Sequence, residues 1–197
     1  MNRRELLKQL ALLTGGAMSY PAIAAVLDDA QTKVSTRDYE LQTFSVGQNE
    51  LVIRLAELII PATDTPGAEA AGVNRFIDHM LANWSTEKDR HLFLDGLEQV
   101  QALCKEQYGH NFIDLRKPDQ LEILRVLEQE NKRISDINGA SGEKGFFTLL
   151  KTYTVIGYYT SEIGCIEELK LNLVPGYYDG CLPYAEIGRA WSVLNLL

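Results

Sequence analysis

Apolar positions recur at helical spacing along most of this chain. Over residues 48–60, Leu51, Leu55, Leu58 and Ile59 share one stripe while Arg54 and Glu57 turn toward water, which predicts an amphipathic helix. Pro61 ends it, because the residue before a proline is biased out of the helical region. Thr63, Asp64, Thr65, Pro66 and Gly67 then read as a turn. Asp64 or Thr65 is the expected cap of a second helix from about Ala68, with Pro66 near its first turn. That helix gathers Val73, Phe76, Ile77, Met80, Leu81 and Trp84 on a broad apolar face and leaves Asn74, Arg75 and Asp78 off it.

Ser85 is the expected N-cap of a long third helix, with Leu94, Leu97, Val100, Leu103 and Cys104 inward and Gly109 just past its end. A fourth starts near Pro118 with Leu121, Leu124 and Leu127 at three-residue steps, widened by Ile123 and Val126. Residues 131–145 read as a loop. Phe146, Phe147, Leu149, Leu150, Tyr153, Ile156 and Tyr159 predict a strongly apolar fifth helix ending near Gly157 or Gly164. Beyond it the chain becomes rich in Gly, Pro and Tyr, with turns, extended stretches and a short helical piece over residues 185–194. The expectation is an all-α fold, a single compact helical domain of about five main helices with an irregular C-terminal tail.

Composition fits that picture: 197 residues, 46% of them hydrophobic and 23% charged, suffice for one domain with a real core. The formal charge is −8, and setting aside residues 1–24, which carry Arg3, Arg4 and Lys8 against Glu5, takes it to about −10. Such a surface repels phosphate backbones, so no nucleic-acid partner is expected.

The first 24 residues have the order of an address. A basic stretch holding Arg3, Arg4 and Lys8 precedes a short apolar run over residues 10–17, and Pro21, Ala22, Ile23 and Ala24 end in small residues at cleavage spacing. The run is too short to span a bilayer. The adjacent arginines followed by Leu6, Leu7 and Lys8 resemble a twin-arginine export signal, which implies carriage of a folded protein to the periplasm. The expected organisation is a signal over 1–24, a linker or arm over 25–47 and the helical domain over 48–197.

Chemistry is sparse. His79, His91 and His110 lie far apart with no second ligand at two- or four-residue spacing, so no metal site is expected. The chain lacks a Cys-x-x-Cys-His attachment, a strand-linked G-x-G-x-x-G and a G-x-S-x-G elbow, and the Gly-rich run over 139–145 lacks the Gly-Lys-Ser/Thr ending of a phosphate loop. Asp64 is the one catalytic candidate, as an acid or base paired with Glu57 or Asp78. Against it stands the turn-and-cap reading. Export would place Cys104, Cys165 and Cys181 in a disulfide-permissive compartment. Cys104 shares an apolar helix face and is expected to be a core thiol; Cys165 and Cys181 either bridge to each other, the favoured alternative, or leave one to bridge to a partner. Tyr153, Tyr158, Tyr159, Tyr177, Tyr178, Tyr184 and Trp191 exceed what a small helical core requires, and such rings suit an interface.

The run from Leu55 through Pro61, Thr63, Asp64, Thr65, Pro66 and Gly67 to Ala68, with Gly72, Val73, Phe76, Ile77 and Asp78 after it, resembles the signature of the gluconate 2-dehydrogenase subunit 3 family. A second block resembling that family holds Gly157, Tyr158, Tyr159, Glu162 and Gly164, then Pro175, Gly176, Tyr177, Tyr178, Asp179, Gly180 and Cys181. Cys165 departs from the small residue expected there, so a Cys165–Cys181 bridge would be local to this chain. The resemblance implies a small subunit that binds no cofactor itself and helps to mature and export a large FAD-dependent dehydrogenase acting on a sugar, sugar acid or polyol. A cytochrome c subunit and the export machinery are the further partners it implies. Tyr158, Tyr159, Glu162, Tyr177, Tyr178 and Tyr184 are the candidate interface. The alternatives are an autonomous periplasmic carbohydrate-active enzyme using Asp64 and a stand-alone periplasmic binding protein.

Overall fold

A computed structural model describes residues 39–138, 145–172, 176, 181 and 183–193. The chain divides into two compact units, Met1–Glu40 and Leu41–Leu197. Tyr39 and Glu40 are the described residues of the first. Arg3, Arg4, the whole signal, most of the arm, Tyr177 and Tyr178 lie outside the described residues, and so does the side chain of Tyr184.

The second unit is all-α in its body, as the periodicity predicts. Helix α1 spans Val46–Ile59, α2 Val73–Asn83, α3 Glu87–Tyr108, α4 Lys117–Asn138 and α5 Phe146–Tyr159, with a 3₁₀ turn at Phe112–Asp114 between α3 and α4. A π-helical turn follows α5 at Gly164–Glu168. Strand β1 (Lys170–Asn172), the short helix α6 (Tyr184–Ile187) and strand β2 (Trp191–Val193) complete the described tail. The strands pair in parallel, Leu171 opposite Ser192.

Helix α1 starts where its cap dictates. The Ser45 hydroxyl accepts from Gln48 N while the Gln48 side chain accepts from Ser45 N, a reciprocal capping box that places the first turn inside the expected arm. The N-cap of α3 is Thr86, which accepts from Asp89 N at 3.1 Å, and not Ser85. Ser85 bonds instead to the Met80 carbonyl and the Tyr153 hydroxyl, tying the α2–α3 junction to α5. Gly109 ends α3 with φ 72°, as expected.

Helix α5 is the central element, packed against α1, α2, α3 and α4. Around it lie Leu51, Leu55, Ile77, Leu81, Phe93, Leu97, Val100, Phe112, Ile123 and Leu150, all essentially without exposure. The Phe93 ring meets the Phe146 ring edge-on at 5.3 Å. Burying each large apolar side chain contributes about 2 kcal/mol, so this cluster dominates stability.

Several expectations need correction. Helix α4 continues to Asn138 where a loop from Asn131 is expected, because Asn131 Oδ1 accepts from the Thr148 hydroxyl and amide and so ties that stretch to α5. Trp84 is 74% exposed, at the C-cap of α2 and beyond its core stripe. Leu121 faces outward while Gln120 is buried, its Nε2 donating to the Phe112 carbonyl. Strand β2 occupies part of the segment expected to be helical.

Cys104 is fully buried on α3, as expected, and burial pushes its thiol up to about 11 from an ordinary value near 9.0. Between those values the unfolded chain loses this proton and the folded chain keeps it. The group's contribution to stability is therefore complete below pH 9 and is lost as pH rises toward 11. Native protein treated with a maleimide at pH 8 is expected to label at Cys165 and not at Cys104 until denaturant is added, as read by peptide mass mapping. Labelling of Cys104 in the native state would contradict its burial.

Candidate functional site

The two sequence blocks that resemble one family meet in space. The first supplies the corner between α1 and α2, and Gly157–Gly164 of the second supply the end of α5 and lead into the π-helical turn. Tyr158 donates its hydroxyl to the Pro66 carbonyl at 2.8 Å, and the Thr65 hydroxyl donates to Glu168 Oε2 at 2.6 Å. The corner is thus clasped from two sides by groups about a hundred residues away. Glu57, expected to face water, holds it from a third: its carboxylate accepts from Ala62 N and from Glu69 N, each at 2.9 Å. Gly67 makes room for this, since a Cβ there would lie 2.4 Å from the Glu57 carboxylate oxygens and 2.6 Å from Ala62 N.

Asp64 caps no helix. Helix α2 begins at Val73, after Gly72 in the left-handed region at φ 67°, with no side-chain cap. Residues 69–72 form turns in which Ala71 N donates to the Gly67 carbonyl and Gly72 N to the Glu69 carbonyl. Asp64 is exposed at the tip and accepts from the Thr63 hydroxyl at 2.9 Å, the main cause of its lowered pKa. A carboxylate held ionised at an exposed tip is a poor general acid.

Its two proposed partners are occupied by structural work. Glu57 holds the corner amides, and Asp78 is fully buried, with Oδ1 accepting from Thr43 N and Phe44 N at 2.9 Å and Oδ2 from Gln42 N at 2.8 Å. Asp78 therefore does not sit off the core face as its position in the apolar pattern predicts. It pins residues 42–44 against α2 and defines where the helical body begins.

The candidate interface residues separate. Tyr158 is buried, with burial raising its hydroxyl pKa, so it belongs to the clasp and not to an outer surface. Tyr159 is exposed beside it, the two rings edge-to-face at 5.2 Å. Glu162 is exposed as well, and Ile166 adds an exposed apolar side chain on the π-helical turn. Gly164 lets that turn form, because a Cβ there would lie 2.0 Å from the Tyr158 carbonyl oxygen. Cys165 Sγ approaches the Tyr159 carbonyl at 3.2 Å and receives the Ser192 hydroxyl at 3.5 Å. Pro61 and Asp64 on the corner, and Tyr159, Glu162 and Ile166 at the end of α5 and beyond it, are exposed.

Among the described residues no group of three or more His, Cys, Asp or Glu is placed to hold a metal ion, and no helix is long and apolar enough to cross a membrane. The fold and this surface define a small helical protein whose motif residues build a clasped corner. The family model for gluconate 2-dehydrogenase subunit 3 matches residues 47–176, and the chain belongs to that family. Membership in a subunit family of a multi-subunit dehydrogenase implies a larger catalytic partner. Comparison with curated proteins and with solved structures gives no match.

Proposed function

We propose that this chain is the non-catalytic small subunit of a periplasmic FAD-dependent dehydrogenase acting on a sugar, sugar acid or polyol. In this reading it helps the large subunit to mature and accompanies it through the twin-arginine pathway by way of Arg3 and Arg4. The observation that carries the proposal is the family match over residues 47–176. The geometry agrees with it: Glu57 and Asp78, the two carboxylates that could pair with Asp64, accept backbone amide hydrogens, and Glu168 accepts from Thr65. FAD belongs to the partner in this account. The only sheet among the described residues is the short β1–β2 pair, with no strand–glycine turn–helix unit to receive a dinucleotide phosphate. A cytochrome c subunit is the proposed electron-accepting neighbour.

The proposed partner residues are Tyr159, Glu162 and Ile166, together with Tyr177, Tyr178 and Tyr184 of the tail. Exposed aromatic and apolar side chains beside carboxylates suit a subunit contact. Affinity purification of the tagged chain from the periplasm of its native host is expected to bring down a larger, yellow, flavin-containing protein in stoichiometric amount. Recovery of the chain alone, with sugar-oxidising or hydrolytic turnover of its own that Asp64→Asn abolishes, would establish the autonomous enzyme instead.

A further inference from the structure

We propose that the groove between α4 and α5 is a second contact with the larger catalytic subunit, occupied by an amphipathic helix of that subunit carrying apolar anchors beside a carboxylate. This rests on the reading of the chain as a subunit. The groove encloses about 800 Å³, with Phe147, Val155 and Ile156 forming its apolar lining. Helix α5 has apolar side chains around most of its circumference, the composition of a helix meant to be covered on all sides. Four helices cover most of it, yet Val155 and Ile156 stay 39% and 44% exposed about one turn before its C-terminal end. Two helices packed side by side leave a channel whose ridges accept a third helix.

The charges along the channel favour one kind of occupant. Lys151 lies at the groove with its Nζ 3.4 Å from Glu128 Oε1 and 5.9 Å from the centre of the Phe147 ring. Lys132 also lines the groove and has no ion-pair partner among the described residues. In a chain of formal charge −8, a channel that sets Phe147, Val155 and Ile156 among polar side chains and bears two lysines and one glutamate is a local positive exception. It selects an occupant with a carboxylate beside its anchors. Tyr159, one helical turn beyond Val155 and Ile156, is exposed like them, so the stripe ends at a residue assigned to the same partner.

The test uses the larger subunit purified from the co-expressed complex and measures its affinity for wild-type chain, for the double variant Val155→Glu/Ile156→Glu, and for Lys132→Glu. All three positions are exposed or at the rim, and circular-dichroism melting checks that each variant folds. The double variant is expected to weaken binding by about tenfold or more. Lys132→Glu is expected to weaken it severalfold, with a deficit that shrinks as salt is raised. Wild-type affinity for both folded variants, with binding weakened by Tyr159→Ala, would overturn the groove contact and leave the subunit reading standing. Failure of the wild-type chain to bind any larger subunit would overturn both.

Discussion

Replacing Asp78 with alanine is expected to destabilise the helical body by about 3 kcal/mol and to release residues 42–44 from α2. The carboxylate is fully buried and accepts three backbone amide hydrogens, from Gln42, Thr43 and Phe44. Hydrogen bonds to a charged group contribute about 1.5–3 kcal/mol each, and the freed amides regain part of this by reaching water. Phe44 is buried and packs against Phe93 with ring centres 5.9 Å apart, so loss of the bracket also loosens an apolar contact. Asp78→Asn keeps one acceptor oxygen and is expected to cost about half as much. Urea unfolding gives the energies, and hydrogen exchange at Thr43 and Phe44 shows whether the segment has been released. Wild-type stability with unchanged exchange at those amides would remove Asp78 from its place as the anchor of the N-terminal boundary.

Replacing Arg3 and Arg4 together with lysine is expected to leave both this chain and its larger partner in the cytoplasm. In the proposed arrangement the small subunit carries the export signal for a folded complex, so one lesion in this chain strands two proteins. The measurement is flavin-linked dehydrogenase activity and immunodetection of both chains in periplasmic and cytoplasmic fractions, with a separately exported protein as control. Active, flavinated large subunit reaching the periplasm beside the doubly substituted chain would contradict the escort role.

Helices α1, α3 and α5 were legible in the sequence because apolar spacing reports directly on which face is buried. The corner was legible as a reversal, and Gly109 as an ending. What holds the corner was not legible, for a physical reason. Glu57 and Asp78 bond to backbone amides, which every residue but proline carries, so nothing in the identities of residues 42–44 or of Ala62 and Glu69 marks them as partners. Both carboxylates therefore read as solvent-facing by default. Asp64 carries a recognised turn signature, but its exposed position does not support a catalytic role. Helix α4 ran past its apolar stripe because Asn131 ties it to Thr148, a contact between elements that periodicity within one element does not encode. Tyr158 and Tyr159 are adjacent and chemically identical, and only the packing of α5 against the corner sends one inward to Pro66 and leaves the other outside.

The clasp between the two blocks changes what the motif means. Pro66, Thr65 and Tyr158, with Glu168 beside them, form the clasp, so the residues that resemble the family signature need not touch a substrate. Their work in this account is to present Tyr159, Glu162 and Ile166 in a fixed arrangement to a larger protein.

Reconstitution tests the central claim most directly. The large subunit is produced with and without this chain, and its bound FAD and its dehydrogenase activity are measured beside those of the purified small chain alone. The account predicts FAD-loaded, active enzyme only when both chains are made together, and no turnover by the small chain alone. Full flavin content and activity in the large subunit produced without this chain would contradict it.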